Sequence, residues 1–124
     1  VLIYAATGTG PRADALRERG VQILALPGAG GKVDLSAMLR DLAAREINEL
    51  HVEAGHKLNG SFVRDGLVDE FLIYLAPKLI GAGRGMAAVG PLADLADAPA
   101  LAYAGIERIG DDLRILARPR HAAP

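Results

Sequence analysis

Cysteine and tryptophan are absent from the 124-residue chain, and aromatic residues make up only 4% of it. The lack of cysteine excludes disulfide frameworks, cysteine-ligated zinc sites, iron–sulfur clusters and thiol catalysis. With so few aromatics, the chain lacks the side chains on which single-stranded nucleic acid stacks. The formal net charge is −1, so neither sign of charge is in large excess. Broad electrostatic binding to nucleic acid or to an anionic membrane is therefore not expected.

Long apolar runs are also missing, although 51% of the residues are hydrophobic. The apolar run 71–77 is far shorter than the roughly 20 residues that a membrane span needs. No basic segment followed by an apolar one opens the chain, so no secretory signal is visible and we expect a cytoplasmic protein. The chain opens on the apolar run 1–5 without an initiator Met. Because domains usually begin with a polar lead-in, this start predicts a fragment of a longer polypeptide.

Apolar runs of strand type alternate along the chain with segments of helical period. Strands are predicted over 2–6, 21–26, 49–53, 69–76, 101–109 and 113–118, and helices over 11–20, from 34 or 35 onward, and over 56–65. The run 69–76 is apolar on both faces, which predicts a strand in the middle of a covered sheet. This order predicts one α/β domain with a mostly parallel sheet, flanking helices and a C-terminal antiparallel hairpin.

Two glycine-rich segments partly match nucleotide-binding loops. Residues 8–13 satisfy G-x-G-x-x-A between a strand and a helix, but residues 26–28 offer no acidic residue about 20 positions on. An ordinary glycine turn is favoured there, although Thr7 could still contact part of a cofactor. Residues 28–32 end in Gly-Lys, yet they lack the spacing and the following Ser or Thr of a phosphate loop. They are interpreted as a connection.

The stretch 53–61 is the strongest candidate for a binding site. A predicted strand ends on Glu53, the chain turns at Gly55, and a helix follows. The first amides of a helix are unpaired donors with a partial positive charge, so such a turn suits a pyrophosphate. Lys57 would add positive charge. Two alternatives stay open from the residues alone: Glu53 as a solvated strand end, and 59–60 as a hairpin turn.

The histidines give no signal for a metal site. The spacing of His51 and His56 fits neither one face of a helix nor one face of a strand, and His121 is remote in sequence. No metal ligand is therefore assigned. No Ser–His–acid arrangement can be argued from the spacing either, so the sequence identifies no catalytic residue.

Several short patterns occur in an order that resembles one protein family. They are Ile-Asn-Glu-Leu-His-Val-Glu-Ala-Gly at 47–55, Leu-Asn-Gly at 58–60, Gly-Leu-Val-Asp-Glu at 66–70, Ile-Tyr at 73–74 and Ala-Pro-Lys-Leu-Ile-Gly at 76–81. Together they resemble the C-terminal reductase domain of the bifunctional riboflavin-biosynthesis deaminase/reductase, which is similar in fold to dihydrofolate reductase. The resemblance covers nearly the whole chain and is most specific between Asn48 and Gly81.

The resemblance implies a function and a set of site residues. The implied reaction is the NADPH-dependent reduction of the ribosyl group of 5-amino-6-(5-phosphoribosylamino)uracil to the ribityl form. Glu53 would contact the substrate. The residues implied to hold the NADPH phosphates are Gly55, His56, Lys57, Leu58, Asn59, Gly60 and Ser61. At positions 56 and 57 the family commonly has smaller residues, so this chain departs from the pattern there.

The resemblance also implies how the chain is organised. Residues 1–124 would be the C-terminal part of a single reductase domain whose N-terminal strands are absent. A homodimer and a deaminase domain on the N-terminal side are expected in the full-length protein, and an isolated fragment is expected to be inactive. Two alternatives are a related pterin or dihydrofolate-type reductase and a non-catalytic structural or dimerisation fragment.

Overall fold

A computed structural model describes residues 1–120, which divide into two compact units, Val1–His51 and the residues from Val52 onward. The first unit contains β1 (Leu2–Ala5), α1 (Pro11–Glu18), β2 (Gln22–Ala25), a 3₁₀ turn (Ala29–Gly31) and α2 (Leu35–Ala44). The second contains α3 (His56–Arg64), β3 (Phe71–Leu75), a 3₁₀ turn (Leu95–Asp97), β4 (Leu101–Ile109) and β5 (Asp112–Pro119). The three predicted helices are confirmed, as are five of the six predicted strands.

The first unit is built on a parallel pair of strands joined by a helix. β1 and β2 pair in register from Leu2 with Gln22 to Ala5 with Ala25, and α1 forms the crossover between them. α1 begins at Pro11. Proline suits this position because an N–H in the first helical turn would have no partner within the helix, so its absence costs no hydrogen bond. Gly10 precedes it with φ of 110°, a conformation that glycine reaches without a steric penalty.

Helix α2 presents an apolar stripe to the core of the first unit. Asp34 caps its start by accepting a hydrogen bond from the Ala37 N–H at 2.8 Å. Leu35 and Leu42, which lie two helical turns apart, are buried, each with 8% of its surface exposed. The stripe residues between them, Met38 and Leu39, are half-buried.

A polar contact joins α2 to the strands of the first unit. The Tyr4 hydroxyl of β1 donates to Asp41 Oδ2 at 2.6 Å, and Arg45 Nε donates to the same oxygen at 2.7 Å. Arg45 also donates to Gln22 Oε1 of β2 at 3.2 Å. The hydrogen bonds from Arg45 and then from Tyr4 lower the pKa of Asp41, while desolvation and the carboxylate raise the pKa of Tyr4. The Asp41–Arg45 pair therefore links both strands to the helix, β1 through the carboxylate and β2 through the guanidinium.

The second unit is an antiparallel sheet in the order β3-β5-β4. β4 and β5 form the predicted hairpin around Gly110, whose φ is 62°. Ala117 of β5 pairs with Phe71 on one side and Tyr103 on the other, and it is completely buried. Phe62 of α3 is also buried, with 5% of its surface exposed.

The structure corrects two features of the predicted sheet. Within residues 1–120 no strand forms over 49–53, because no described strand forms a ladder with this segment. The apolar run Phe71–Leu75 does form a strand, but among the described strands it pairs only with β5, so it lies at the edge of the sheet and not in the middle of a covered one. Leu72, Tyr74 and Leu75 are accordingly exposed.

The parallel share of the sheet is smaller than predicted. One pair of the described strands is parallel and two pairs are antiparallel. Between β3 and β4 the described residues form only the short 3₁₀ turn Leu95–Asp97. No helix in the described part of the chain is long and apolar enough to cross a bilayer.

The Asp41 contact predicts a pH-dependent stability. Asp41→Asn should lower the free energy of unfolding at neutral pH, because an amide holds the Arg45 guanidinium less strongly than a carboxylate does. The pKa of Asp41 in the folded state lies below its ordinary value of 3.8. Its contribution is therefore complete above that value and is lost as the pH falls through the lower, folded-state pKa. Urea unfolding of both proteins across this pH range measures the difference.

Asp14→Asn is the matched control, since Asp14 pairs with Arg17 at 3.2 Å on the exposed surface of α1. An exposed pair of this kind contributes little to stability, so the control should change the urea midpoint less. Equal effects of the two substitutions, or an Asp41 effect that does not diminish in acid, would contradict the prediction.

Candidate functional site

The candidate site is the start of helix α3. Gly55 is the N-cap residue, with φ of −73° and ψ of 159°, and as a glycine it brings no side-chain oxygen to cap the helix. Its carbonyl accepts hydrogen bonds from the N–H groups of Leu58 at 3.0 Å and Asn59 at 3.2 Å. The amides of His56 and Lys57 thus belong to the end that a helix leaves without internal partners. They are available to a ligand with acceptor oxygens.

The space and the charge at this helix start both suit an anion. Among the described residues, no heavy atom beyond the chain neighbours lies within 4 Å of the position that a Cβ on Gly55 would occupy. Lys57 is exposed, His56 is half-buried, and the first turn carries no carboxylate. The partial positive charge of the helix end and the ammonium group of Lys57 therefore act in the same direction.

Asn59 has a different role from the residues at the helix start. Its side-chain nitrogen donates to the carbonyl oxygen of Ala54 at 3.2 Å and to that of Met86 at 3.0 Å. Ala54 precedes the N-cap, whereas Met86 lies 27 residues further along the chain than Asn59. The amide therefore joins the turn that enters α3 to a distant backbone segment.

Gly60 lets that segment, residues 86–88, approach the helix closely. A Cβ on Gly60 would lie 2.2 Å from the Ala88 carbonyl oxygen, which is far inside van der Waals contact. The Ala88 N–H donates to the His56 carbonyl at 2.8 Å, and the Arg64 guanidinium donates to the Ala88 carbonyl. The 86–88 segment is thus fixed along α3 by backbone and side-chain contacts.

Ser61 takes part in the same arrangement from within the helix. Its hydroxyl donates to the Lys57 carbonyl at 3.2 Å and accepts a hydrogen bond from Arg64 at 3.0 Å. This supports the guanidinium that reaches Ala88. The predicted phosphate-binding run therefore divides in two. Residues 55–57 form the open start of the helix, whereas residues 59–61 contact backbone of the helix and of the 86–88 segment. Leu58 lies between them, with 43% of its surface exposed.

The hairpin alternative and the position of Glu53 can both be compared with the structure. Residues 59–60 lie inside α3, so the hairpin turn is excluded. Glu53 is exposed and lies two residues before Gly55 in an irregular segment, so it does not end a strand. Its contact with substrate stays a prediction.

Sequence reasoning missed Arg64 and the 86–88 segment. Neither Arg64 nor residues 86–88 belong to any motif that the sequence singles out. The contact between Arg64 and Ala88 spans 24 residues, beyond the reach of a local pattern. Only the glycine inside the helix hinted at it, because a mid-helix glycine is often placed where another backbone comes close.

The two other glycine-rich segments have structural explanations within the first unit. Arg17 of α1 donates to the Gly8 carbonyl at 2.5 Å, and a Cβ on Gly8 would lie 3.3 Å from that of Ala25. At the second segment the Gly28 N–H donates to the Lys32 carbonyl at 2.7 Å, which closes a turn. These contacts are those of glycine turns in a packed unit.

Metal ligation finds no support in the described part of the chain. No group of three or more His, Asp or Glu residues among positions 1–120 could hold a metal ion. His121 lies outside the described residues.

Comparison with known proteins assigns the chain to a family. The family model for the RibD C-terminal domain matches residues 6–115. Riboflavin biosynthesis protein RibD of Haemophilus influenzae is 45% identical over 87 residues, which cover 69% of this chain and 23% of that protein. RibD of Escherichia coli is 39% identical over 94 residues, covering 75% of this chain and 26% of that protein. The chain thus spans about a quarter of the length of these two relatives.

Solved structures agree with this assignment at the level of the fold. Acinetobacter baumannii RibD matches with a TM-score of 0.80 and 24% identity, covering 97% of this chain and 31% of that one. This likeness confirms the predicted dihydrofolate-reductase-like α/β fold. Because the family model matches most of the sequence, the chain belongs to the RibD C-terminal domain family.

Proposed function

We propose that this chain is part of a 5-amino-6-(5-phosphoribosylamino)uracil reductase of riboflavin biosynthesis, with NADPH as its cofactor. Family membership over residues 6–115 supports this function. A relative from Buchnera aphidicola, 29% identical over 72% of this chain and 44% of its own length, carries that enzyme name. The observation that carries the proposal is the open, glycine-started helix α3 at the position where the resemblance implies a phosphate site.

The residues at the helix start fit a dinucleotide phosphate. Gly55 leaves room for an oxygen to reach the first amides, and those of His56 and Lys57 can donate to it. The exposed ammonium of Lys57 can offset the negative charge of the pyrophosphate. The departure from the smaller residues common in the family therefore adds the positive charge of Lys57, and the space at Gly55 stays open.

The task of the protein in this reaction is to orient the reactants. When bound, NADPH supplies the hydride that reduces the ribosyl group at C1′. The α3 amides would fix the phosphates and thereby limit the positions of the nicotinamide ring. Glu53, exposed two residues before the N-cap, would accept hydrogen bonds from the sugar hydroxyls or amines of the substrate. No residue is assigned as the proton donor.

The names of the relatives favour a phosphoribosylated pyrimidine over a pterin. A relative from Methanothermobacter thermautotrophicus, 32% identical over 82% of this chain and 47% of its own length, is named as a 2,5-diamino-6-ribosylamino-4(3H)-pyrimidinone 5′-phosphate reductase. That substrate and the uracil compound share a ribosylamino group on a pyrimidine. A homodimer and an N-terminal deaminase domain in the full-length protein belong to the same proposal.

Gly55→Val tests the phosphate site. A branched side chain would occupy the space through which the pyrophosphate approaches, so the Kd for NADPH should rise at least about tenfold, or about 1.4 kcal/mol. The free energy of unfolding should change less, because a Cβ at this position meets no other heavy atom of the described residues within 4 Å. NADPH fluorescence titration of the full-length protein gives the Kd.

Gly105→Val is the matched control for this measurement. Gly105 lies in β4, where a Cβ would meet the Leu116 Cβ at 3.9 Å, an ordinary contact. The Gly105→Val substitution should leave the Kd for NADPH unchanged. Unaltered binding in a folded Gly55→Val protein would end the assignment of the phosphate site.

Glu53→Gln separates substrate contact from cofactor contact. Loss of the charge on the acceptor should remove about 1.5–3 kcal/mol of transition-state stabilisation, which is measured as a lower kcat/KM for the pyrimidine. The Kd for NADPH should stay near that of the wild type. Glu49→Gln, the same change at another exposed position in this segment, should have little effect on either constant. Full activity of Glu53→Gln would refute the substrate contact, and an equal loss of NADPH binding would assign Glu53 to the cofactor instead.

A further inference from the structure

Both side-chain N–H groups of Asn59 donate to backbone carbonyls. Its amide has two N–H groups, and its nitrogen donates to the carbonyls of Ala54 and Met86. The group that remains is the side-chain oxygen, which can only accept. An acceptor does not bind a phosphate oxygen. This arrangement argues against direct phosphate contact by Asn59, the role that the resemblance implies for it.

The two carbonyls that Asn59 joins flank the candidate site. Ala54 directly precedes Gly55, so its position sets the direction in which the chain enters α3. Met86 belongs to the 86–88 segment, which is itself fixed on the helix by the Ala88 N–H bond to His56 and by the Arg64 contact. Through Asn59, the entry turn is therefore tied to a segment that the body of the helix already holds.

We propose that Asn59 is a positioning residue of the nucleotide site: it holds the Ala54–Gly55 turn so that the amides of His56 and Lys57 keep one orientation toward the phosphates. This inference rests on the proposed function. The side chain acts through the turn and not on the ligand. Without it, Ala54 would lose its link to Met86, while the bond from the Ala88 N–H to the His56 carbonyl and the bond from Arg64 to the Ala88 carbonyl would still hold the 86–88 segment on the helix.

The experiment compares Asn59→Asp with Asn48→Asp in the full-length protein. Both substitutions replace an amide with a carboxylate and add the same charge, but Asn48 is exposed and lies outside α3. At a temperature where circular dichroism shows each protein folded, Asn59→Asp should raise the Kd for NADPH at least about tenfold. The KM for the ribosylaminopyrimidine should stay within about twofold of the wild type, since substrate contact is assigned elsewhere. Asn48→Asp should change neither constant.

A second variant covers the case in which the new carboxylate prevents folding. Asn59→Ala removes the same donors without placing a charge beside two carbonyls, and it should also raise the Kd for NADPH selectively. A folded Asn59 variant with wild-type Kd would overturn the positioning role, and so would equal rises in the NADPH and pyrimidine constants. If the wild-type protein itself does not bind NADPH, the proposed function fails, and the role of Asn59 fails with it.

Discussion

The close approach of the Ala88 backbone to helix α3 at Gly60 is the contact on which the candidate site depends. It requires a residue without a Cβ in the middle of a helix, where glycine costs roughly 1 kcal/mol relative to alanine. The contacts that follow from it offset this cost: the Ala88 amide bonds to His56, Arg64 reaches the Ala88 carbonyl, and Asn59 holds Met86. The 86–88 segment is thereby held along the helix.

This arrangement lets one short helix carry out two tasks. The side chains of Asn59, Ser61 and Arg64 donate hydrogen bonds to backbone carbonyls. The N–H groups of His56 and Lys57, at the start of the helix, stay available to a ligand. The site therefore does not depend on a cluster of charged side chains, and the potential ligands are amides whose direction is set by the fold. Such amides need little reorganisation when a ligand arrives, which is the usual advantage of a preorganised site. It also explains why few charged side chains mark the site in the sequence.

What could be predicted from the sequence depended on how local its cause was. The helices follow from local signals: Pro11 starts α1, Asp34 caps α2, and Gly66 follows α3 with φ of 65°. The hairpin of β4 and β5 was predictable from its short loop. The strand predicted over 49–53 does not form in the described structure, because strand formation depends on pairing with another strand that no local pattern specifies. At the site, the turn at Gly55 was predicted from residue types, whereas the ties to Met86 and Ala88 join residues far apart in sequence.

Amide hydrogen exchange at the start of α3 tests the central claim most directly. The full-length protein would be exchanged in deuterated buffer alone, with NADPH, and with reduced nicotinamide riboside, which lacks the phosphates. Fragmentation would resolve the amides of His56 and Lys57. We expect NADPH to slow exchange at these two amides and the riboside to leave it unchanged, because only the dinucleotide carries the pyrophosphate that they would bind. Unchanged exchange at both amides under saturating NADPH would contradict the account.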